Sequence, residues 1–323
     1  MSKLEFRSSL AGRLAEFVAE KRAVGYRYVT EANRLEVFDR YLIAAGHTGT
    51  ELPRAAVQGW CAKRQHESWK NHRARVCVVR QFARFLLRQG CYAYVPDSRV
   101  GPVCGNNFKP WIFTHRQIKD VLAAVDAVHY DCRAPRRHLV IRELFRVLYG
   151  CGLRCGEVVR LTVGDVDLNE GVLTIREGKF RQDRLVPMAV ALADRLRVYS
   201  RTLDAPSPDS TFFPGRDGGA YSHQRIYDMF RRVLRSAGIS HGGVGVGPRL
   251  HDLRATFAVH RVEAWLREGA DLGAKLPILS AYMGHLSLAG TQRYLRLTQA
   301  IFPNLASLFE HAYGHLLPRL PPC

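Results

Sequence analysis

Leu148-Tyr-Gly-Cys-Gly-Leu-Arg-Cys-Gly-Glu157 is the stretch that decides what this chain builds. Upstream of it, residues 138–149 carry an apolar run at helical spacing, and Gly150-Cys-Gly152 stops that helix. A new helix is predicted from near Cys155. The only departure from helical patterning follows. Val172-Leu-Thr-Ile175 and Arg184-Leu-Val-Pro-Met188, after an Asn169-Glu-Gly171 turn, read as strands. Helical spacing returns at about 189–202, 222–237, 252–267 and 275–283. The expected fold class is mainly α with a small antiparallel β-sheet.

Working back toward the N-terminus, Thr114-His-Arg-Gln117 has the form of a capping box opening a helix that carries Ile118, Val121 and Leu122. Before it, residues 91–113 break every periodic pattern with prolines, glycines and paired asparagines, as a linker does. The first hundred residues read as four helices. Leu10, Leu14, Phe17 and Val18 mark the first, which Gly25 ends. Thr30 is the expected cap of the second, with Leu35, Phe38 and Leu42 inward and Gly46 as its stop. Pro53 suits the first turn of the third, with Val57, Trp60 and Cys61, and the fourth runs from about Ser68 to Gly90. Two domains are therefore expected: a helical bundle over 1–100, a linker over 101–112 and a second unit over 113–323.

Composition narrows the partners. Lys and Arg total 48 against 29 Asp and Glu, a formal charge of +19 over 323 residues. Residues 1–98 hold 17 basic and 9 acidic side chains, a net +8, so the remaining +11 lies beyond them. Charge shared by both units, rather than packed into a tail, points to folded surfaces facing a polyanion, of which nucleic acid is the commonest. A hydrophobic content of 47% is enough for sizeable cores and excludes wholesale disorder. There is no apolar signal region and no run of about 18 apolar residues, so the expected location is cytoplasmic and nucleoid-associated, away from membranes. The eight cysteines form no Cys-x-x-Cys pair and are expected to be mostly small buried hydrophobes in a reducing compartment.

The fourth helix is the most charged. Val76, Val79, Ala83 and Leu86 form its core stripe, while Lys70, Arg73, Arg80, Arg84 and Arg88 fall on a separate face. From Lys63 and Arg64 to Arg88 there are eight basic residues and one acid, Glu67. Solvated faces usually mix signs to form i,i+4 pairs, whereas a single sign repels itself unless a polyanion offsets it. Lys63, Arg64, Lys70, Arg73, Arg80, Arg84 and Arg88 are therefore candidate phosphate contacts.

The second unit carries the candidate chemistry. Phosphodiesters are cleaved with metal ions, or with fixed cations that stabilise the pentavalent transition state. The sequence has no His-Glu-x-x-His and no Walker-type loop, so neither metal nor cofactor is expected. What remains is cation clamping around a covalent nucleophile. Arg154 and Arg254 are the natural clamp, because guanidinium bonds two phosphate oxygens in a planar fork. Glu157, one turn from Arg154, is placed to orient it. His251 and Arg254 are i,i+3 in His-Asp-Leu-Arg, and His285 follows Met283-Gly284. Lys179 lies between the two strands, and a lysine near other cations loses its proton more readily, which suits a general acid. Tyr294 follows His285 by nine residues, in Gly290-Thr-Gln-Arg-Tyr-Leu295.

Taken in order, these motifs resemble the tyrosine recombinase/phage integrase family, and the resemblance covers nearly the whole chain. The family's Gly-Leu-Arg-x-x-Glu is Gly152-Leu-Arg154 with Glu157, its hairpin lysine is Lys179, and its His-x-x-Arg box is His251 to Arg254. Its Leu-Gly-His appears as Met283-Gly-His285, a mild departure, and its tyrosine is Tyr294. Between Arg254 and His285 the chain is somewhat longer than the common version. The resemblance implies an N-terminal DNA-binding bundle and a C-terminal catalytic domain that cleaves and rejoins double-stranded DNA at specific sites, without metal or ATP.

It also implies roles. Tyr294 attacks a phosphate to form a 3′-phosphotyrosyl link, Arg154, Arg254 and His285 hold the non-bridging oxygens, Lys179 protonates the leaving oxygen, and His251 assists proton transfer. Strand exchange through a Holliday junction requires a homo-tetramer on DNA, open to other recombinases as partners, and suits integration or excision of a mobile element. Leu305, Leu308, Phe309 and Tyr313 mark an apolar C-terminal helix at about 303–318, which by resemblance docks on a neighbouring subunit, the alternative being packing on its own domain. Two alternatives stand beside it: type IB topoisomerase-like relaxation, which uses similar chemistry, and a non-catalytic DNA-binding regulator on the same fold.

Overall fold

The structure is a computed structural model that describes residues 5–98, 109–176, 183–204, 206–243, 246–285, 287–292 and 294. It separates into two compact units, divided between Phe108 and Lys109. Among the described residues no helix is long and apolar enough to cross a membrane.

The first unit is a four-helix bundle: α1 (Ala11–Ala23), α2 (Val29–Ala44), α3 (Arg54–Cys61) and α4 (Trp69–Arg88). Its core forms where the apolar stripes meet, with Phe17, Phe38, Trp60, Phe82 and Leu86 all buried. One start differs from the sequence expectation. Thr30 lies inside α2, and the helix is entered through Tyr28 at φ 47°, with no side-chain cap. The Tyr28 ring meets Phe17 edge-on at 5.8 Å, so aromatic packing rather than a hydroxyl cap fixes the entry. Ser68 does cap α4, accepting the Asn71 N–H at 3.2 Å.

In the second unit, α5 (His115–Asp126) opens with the full Thr114/Gln117 capping box. The central helix is α6 (Arg137–Gly150), which buries Val140, Ile141, Leu144, Phe145, Val147 and Leu148. It packs against α5, α8 (Val190–Ser200) and α10 (Asp252–Arg267). Between α6 and α8 lie the short α7 (Cys155–Val158) and three antiparallel strands, β1 (Val166–Asp167), β2 (Val172–Ile175) and β3 (Arg184–Pro187), in the order β1-β2-β3. Leu173 pairs with Val186 and Ile175 with Arg184. Leu173, Ile175 and Val186 point into the core, the period-two burial of a sheet with one covered face. The unit continues with α9 (His223–Ser236), capped by Ser222, then α11 (Leu272–Met283) and α12 (Leu288–Gln292). Helix α11 begins earlier than expected because Asp271 caps it, accepting the Gly273 N–H at 2.7 Å, and tolerates Pro277 inside.

The cysteines depart from expectation. Among the six described, Cys151 and Cys155 are buried, Cys61, Cys77 and Cys91 are half-buried and Cys132 is exposed, all as free thiols.

Candidate active site

The turn after α6 makes the site possible. Gly152 takes φ 58°, and a Cβ there would come within 2.3 Å of the Phe257 ring. Only glycine fits both the left-handed backbone and the close approach. This reversal places Arg154 at the entrance to α7, where it is held from two sides. Its Nη1 donates to Glu157 Oε1 at 2.6 Å and its Nη2 to the Gly284 carbonyl at 3.1 Å. The Arg154 backbone N–H donates to Glu157 Oε2 at 2.9 Å.

Glu157 is shared. Arg184, at the start of β3, donates from Nη1 and Nη2 to the same carboxylate at 3.1 and 2.9 Å, and from Nε to the Tyr282 carbonyl at 2.9 Å. Burial alone would raise the Glu157 pKa. Hydrogen bonds from Arg184 and Arg154, and their charges, outweigh it and hold the pKa at about 2.

Arg254 sits in the first turn of α10 and is only 2% exposed. It is anchored by backbone: Nη1 donates to the Gly152 carbonyl at 2.7 Å and Nη2 to the Met283 carbonyl. Burial, then the charge of Arg154, lowers its pKa to about 10, while Tyr294 and Glu157 pull the other way. Arg254 Nη2 also lies 3.1 Å from His285 Nε2. Guanidinium only donates, so Nε2 is the acceptor and the His285 proton belongs on Nδ1, 2.7 Å from Thr291 Oγ1.

Met283-Gly284-His285 is thus one turn serving two arginines. Gly284 closes α11 at φ 63°, and a Cβ on it would press on the Arg184 guanidinium at 3.0 Å. Tyr294 stacks on His285 with ring centroids 6.0 Å apart. It is fully buried, in the same apolar cluster as Phe257, Leu276, Leu279 and Met283.

The structure therefore brings together Arg154, Glu157, Arg254, His285 and Tyr294. His251, by contrast, is exposed. With Arg154 it lines a cleft of about 510 Å³, bordered also by His223, Tyr227, His241 and Arg249. Lys179 lies outside the described residues, as do the helix expected at 303–318 and linker residues 101–108. Two arginines fixed on one turn, with an imidazole and a phenol beside them, form a cationic seat that can take an anionic group next to a hydroxyl. The bonds described leave further N–H donors on each guanidinium for phosphate oxygens.

The family model for the phage integrase family matches residues 112–300, a span that takes in all five clustered residues. The chain belongs to the phage integrase family. These tyrosine recombinases are DNA strand-transfer enzymes. The chain is 32% identical over 294 residues to the "Putative integrase/recombinase y4rE" of Sinorhizobium fredii, covering 90% of this chain and 92% of that protein. It is 30% identical over 290 residues to the tyrosine recombinase XerD of Pseudomonas aeruginosa, covering 88% and 89%. Solved tyrosine recombinases share the fold. The XerH site-specific recombinase bound to its palindromic difH substrate superposes with a TM-score of 0.62 at 18% identity, covering 87% of this chain and 79% of that one. The Tn1549 transposon integrase in complex with a circular intermediate DNA gives 0.62 at 17% identity, covering 87% and 94%.

Sequence reasoning missed two residues of this candidate site. Arg184 reads in the sequence only as the first residue of a strand, yet it holds Glu157. Thr291, inside the quoted Gly290-Thr-Gln-Arg-Tyr run, accepts the Nδ1 proton that the Arg254 contact leaves on His285. In the first unit, the basic run divides. Arg75 is buried, bonded bidentately to Glu67. Arg80 donates to the carbonyls of Pro96 and Asp97, and Arg88 pairs with Glu20 at 2.8 Å. Lys63, Arg64, Lys70 and Arg84 are exposed, and Arg73 is half-buried.

Proposed function

We propose that this chain is a site-specific recombinase that cleaves and rejoins double-stranded DNA through a 3′-phosphotyrosyl link to Tyr294. The observation that carries this reading is the single turn at Met283-Gly284-His285, which anchors Arg154 and Arg254 and sets His285 against Tyr294. The scissile phosphate lies against the two guanidiniums and His285, whose fixed charges and donors favour the pentavalent transition state without reorganising. His251, at the open lip of the cleft, moves protons, and Lys179 protonates the leaving 5′-oxygen. Because Tyr294 is buried, its segment leaves the apolar seat to reach the phosphate.

The phosphotyrosyl bond conserves energy, so rejoining to a second strand needs no ATP. Exchange of both strand pairs through a Holliday junction calls for four chains on two sites, and integration or excision of a mobile element is the task this serves. The exposed basic residues Lys63, Arg64, Lys70 and Arg84 grip the backbone. The C-terminal helix at 303–318 links neighbouring subunits, so ending the chain before Pro303 should leave monomer folding intact and abolish assembly on DNA. Unchanged assembly by gel shift would sink that link.

The deciding test is a nicked duplex taken from a randomised pool by its affinity for the chain. The wild type should form a detergent-resistant covalent adduct with it, and Tyr294→Phe should form none. An adduct that persists in Tyr294→Phe would refute the nucleophile. Relaxation of supercoiled plasmid lacking any bound site would assign the chemistry to a topoisomerase instead.

A further inference from the structure

Away from this constellation, three ligating side chains meet between α5 and α10. His115 is the first residue of α5, while His260 and Glu263 lie one turn apart on α10. One ligand atom from each lies within 4.8 Å of the others. The two imidazoles stack at 3.9 Å between centroids, 21° from parallel. His115 Nε2 stands 3.7 Å from a Glu263 carboxylate oxygen. His260 is buried, and its Nδ1 lies 2.8 Å from the Tyr149 hydroxyl on α6.

We propose that His115, His260 and Glu263 bind one divalent transition-metal ion of the zinc class. Two imidazole nitrogens and one carboxylate oxygen suit Zn²⁺, Co²⁺ or Ni²⁺, whereas Mg²⁺ and Ca²⁺ ask for oxygen throughout. Metal–ligand distances of about 2.0–2.2 Å lie a short swing away. The swing falls to His115, whose side chain is 56% exposed, so buried His260 keeps its place. Tyr149 supplies the supporting contact that ligating histidines usually have. With Nε2 on the metal, Nδ1–H donates to the Tyr149 oxygen and fixes the ring. The competing contacts are Arg267, 3.6 Å from Glu263 in an i,i+4 pair of small worth, and the Phe113 backbone, which hydrogen-bonds the His260 ring. Three protein ligands leave a fourth position for water on the exposed side.

The ion's part is bracing rather than catalysis. It joins the start of α5 to the helix that carries Arg254 six residues earlier, and through Tyr149 to the helix whose end leads into Gly152 and Arg154. The inference does not depend on the recombinase reading, and its readout is metal binding alone.

The test uses the full chain, stripped with EDTA, dialysed, and titrated with Zn²⁺ and separately with Co²⁺. Expected are one ion per chain, a rise in melting temperature, and Co²⁺ d–d bands without the near-ultraviolet thiolate charge-transfer that cysteine ligation would give. His115→Ala changes an exposed side chain and should melt like metal-free wild type. Its affinity should fall at least about tenfold and its thermal shift should vanish. Glu263→Gln should behave the same way, and His241→Ala, in the separate histidine-bearing cleft, should bind as wild type does. No binding to the wild type, a thiolate band, or binding kept by His115→Ala and Glu263→Gln but lost in His241→Ala would each overturn the proposal.

Discussion

Arg154 and Arg254 carry the same charge as Lys70 and Arg84, in the opposite setting. The first two are fixed by backbone carbonyls, and Arg154 additionally by Glu157. The other two stand exposed on α4. Fixing a cation in a dry site strengthens its field and removes the cost of reorienting it when charge develops on a substrate. A cation on a solvated helix is screened by salt, yet it costs the fold little and can follow an irregular phosphate backbone. One region is built for a single geometry, the other for attraction.

Substitutions on the two sides should separate these roles. The largest effect is expected from Arg254→Lys, which keeps charge but loses the planar fork: single-turnover cleavage should fall about 10²–10³-fold while DNA binding by gel shift persists. Less than a tenfold loss would make Arg254 a structural residue only. Next is Glu157→Gln, which leaves half-buried Arg154 and Arg184 against a buried neutral amide and should cost about 3–5 kcal/mol in urea denaturation. Because the folded pKa of Glu157 is about 2, below the ordinary 4.5, its stabilisation is present above about pH 4.5 and is lost as pH falls toward about 2. The variant should flatten the stability curve across that window, and an unchanged curve would remove Glu157 from the account.

Gly152→Ala should follow, losing about 1–3 kcal/mol through overpacking against Phe257, with further strain from φ 58°, read as a lowered melting temperature. The smallest change in stability is expected on α4. Lys70→Ala and Arg84→Ala should stay within about 0.5 kcal/mol of wild type, while each lowers the slope of log affinity against log salt by about 1. An unaltered salt slope would mean that this face does not meet phosphate.

Most of the fold could be read from periodicity. The stripes of α1, α4 and α6, the Thr114 capping box and the β2/β3 pair are local patterns, and local patterns survive in a sequence. The misses are contacts between distant segments. The Tyr28 entry to α2 depends on Phe17, and β1 is only two residues long, too short for an alternation to show. The clustering of Arg154, Glu157, Arg254, His285 and Tyr294 was legible because each carries a distinctive neighbour, a glycine or a fixed spacing. Arg184 had none, and its partner lies 27 residues away. His115 and His260 were illegible for the same reason, since nothing local marks two histidines brought together from helices so far apart in the chain.

The anchors of the two central arginines include the carbonyls of Gly152, Met283 and Gly284. Every residue type has a carbonyl, so a substitution at Met283 changes a side chain without deleting the acceptor. Residue identity at that position is thereby loosened from the geometry it supports. A site braced this way tolerates drift along its frame, so long as the turn itself is kept and its glycines hold their shape. The shared fold at 17–18% identity is the kind of divergence such a frame permits.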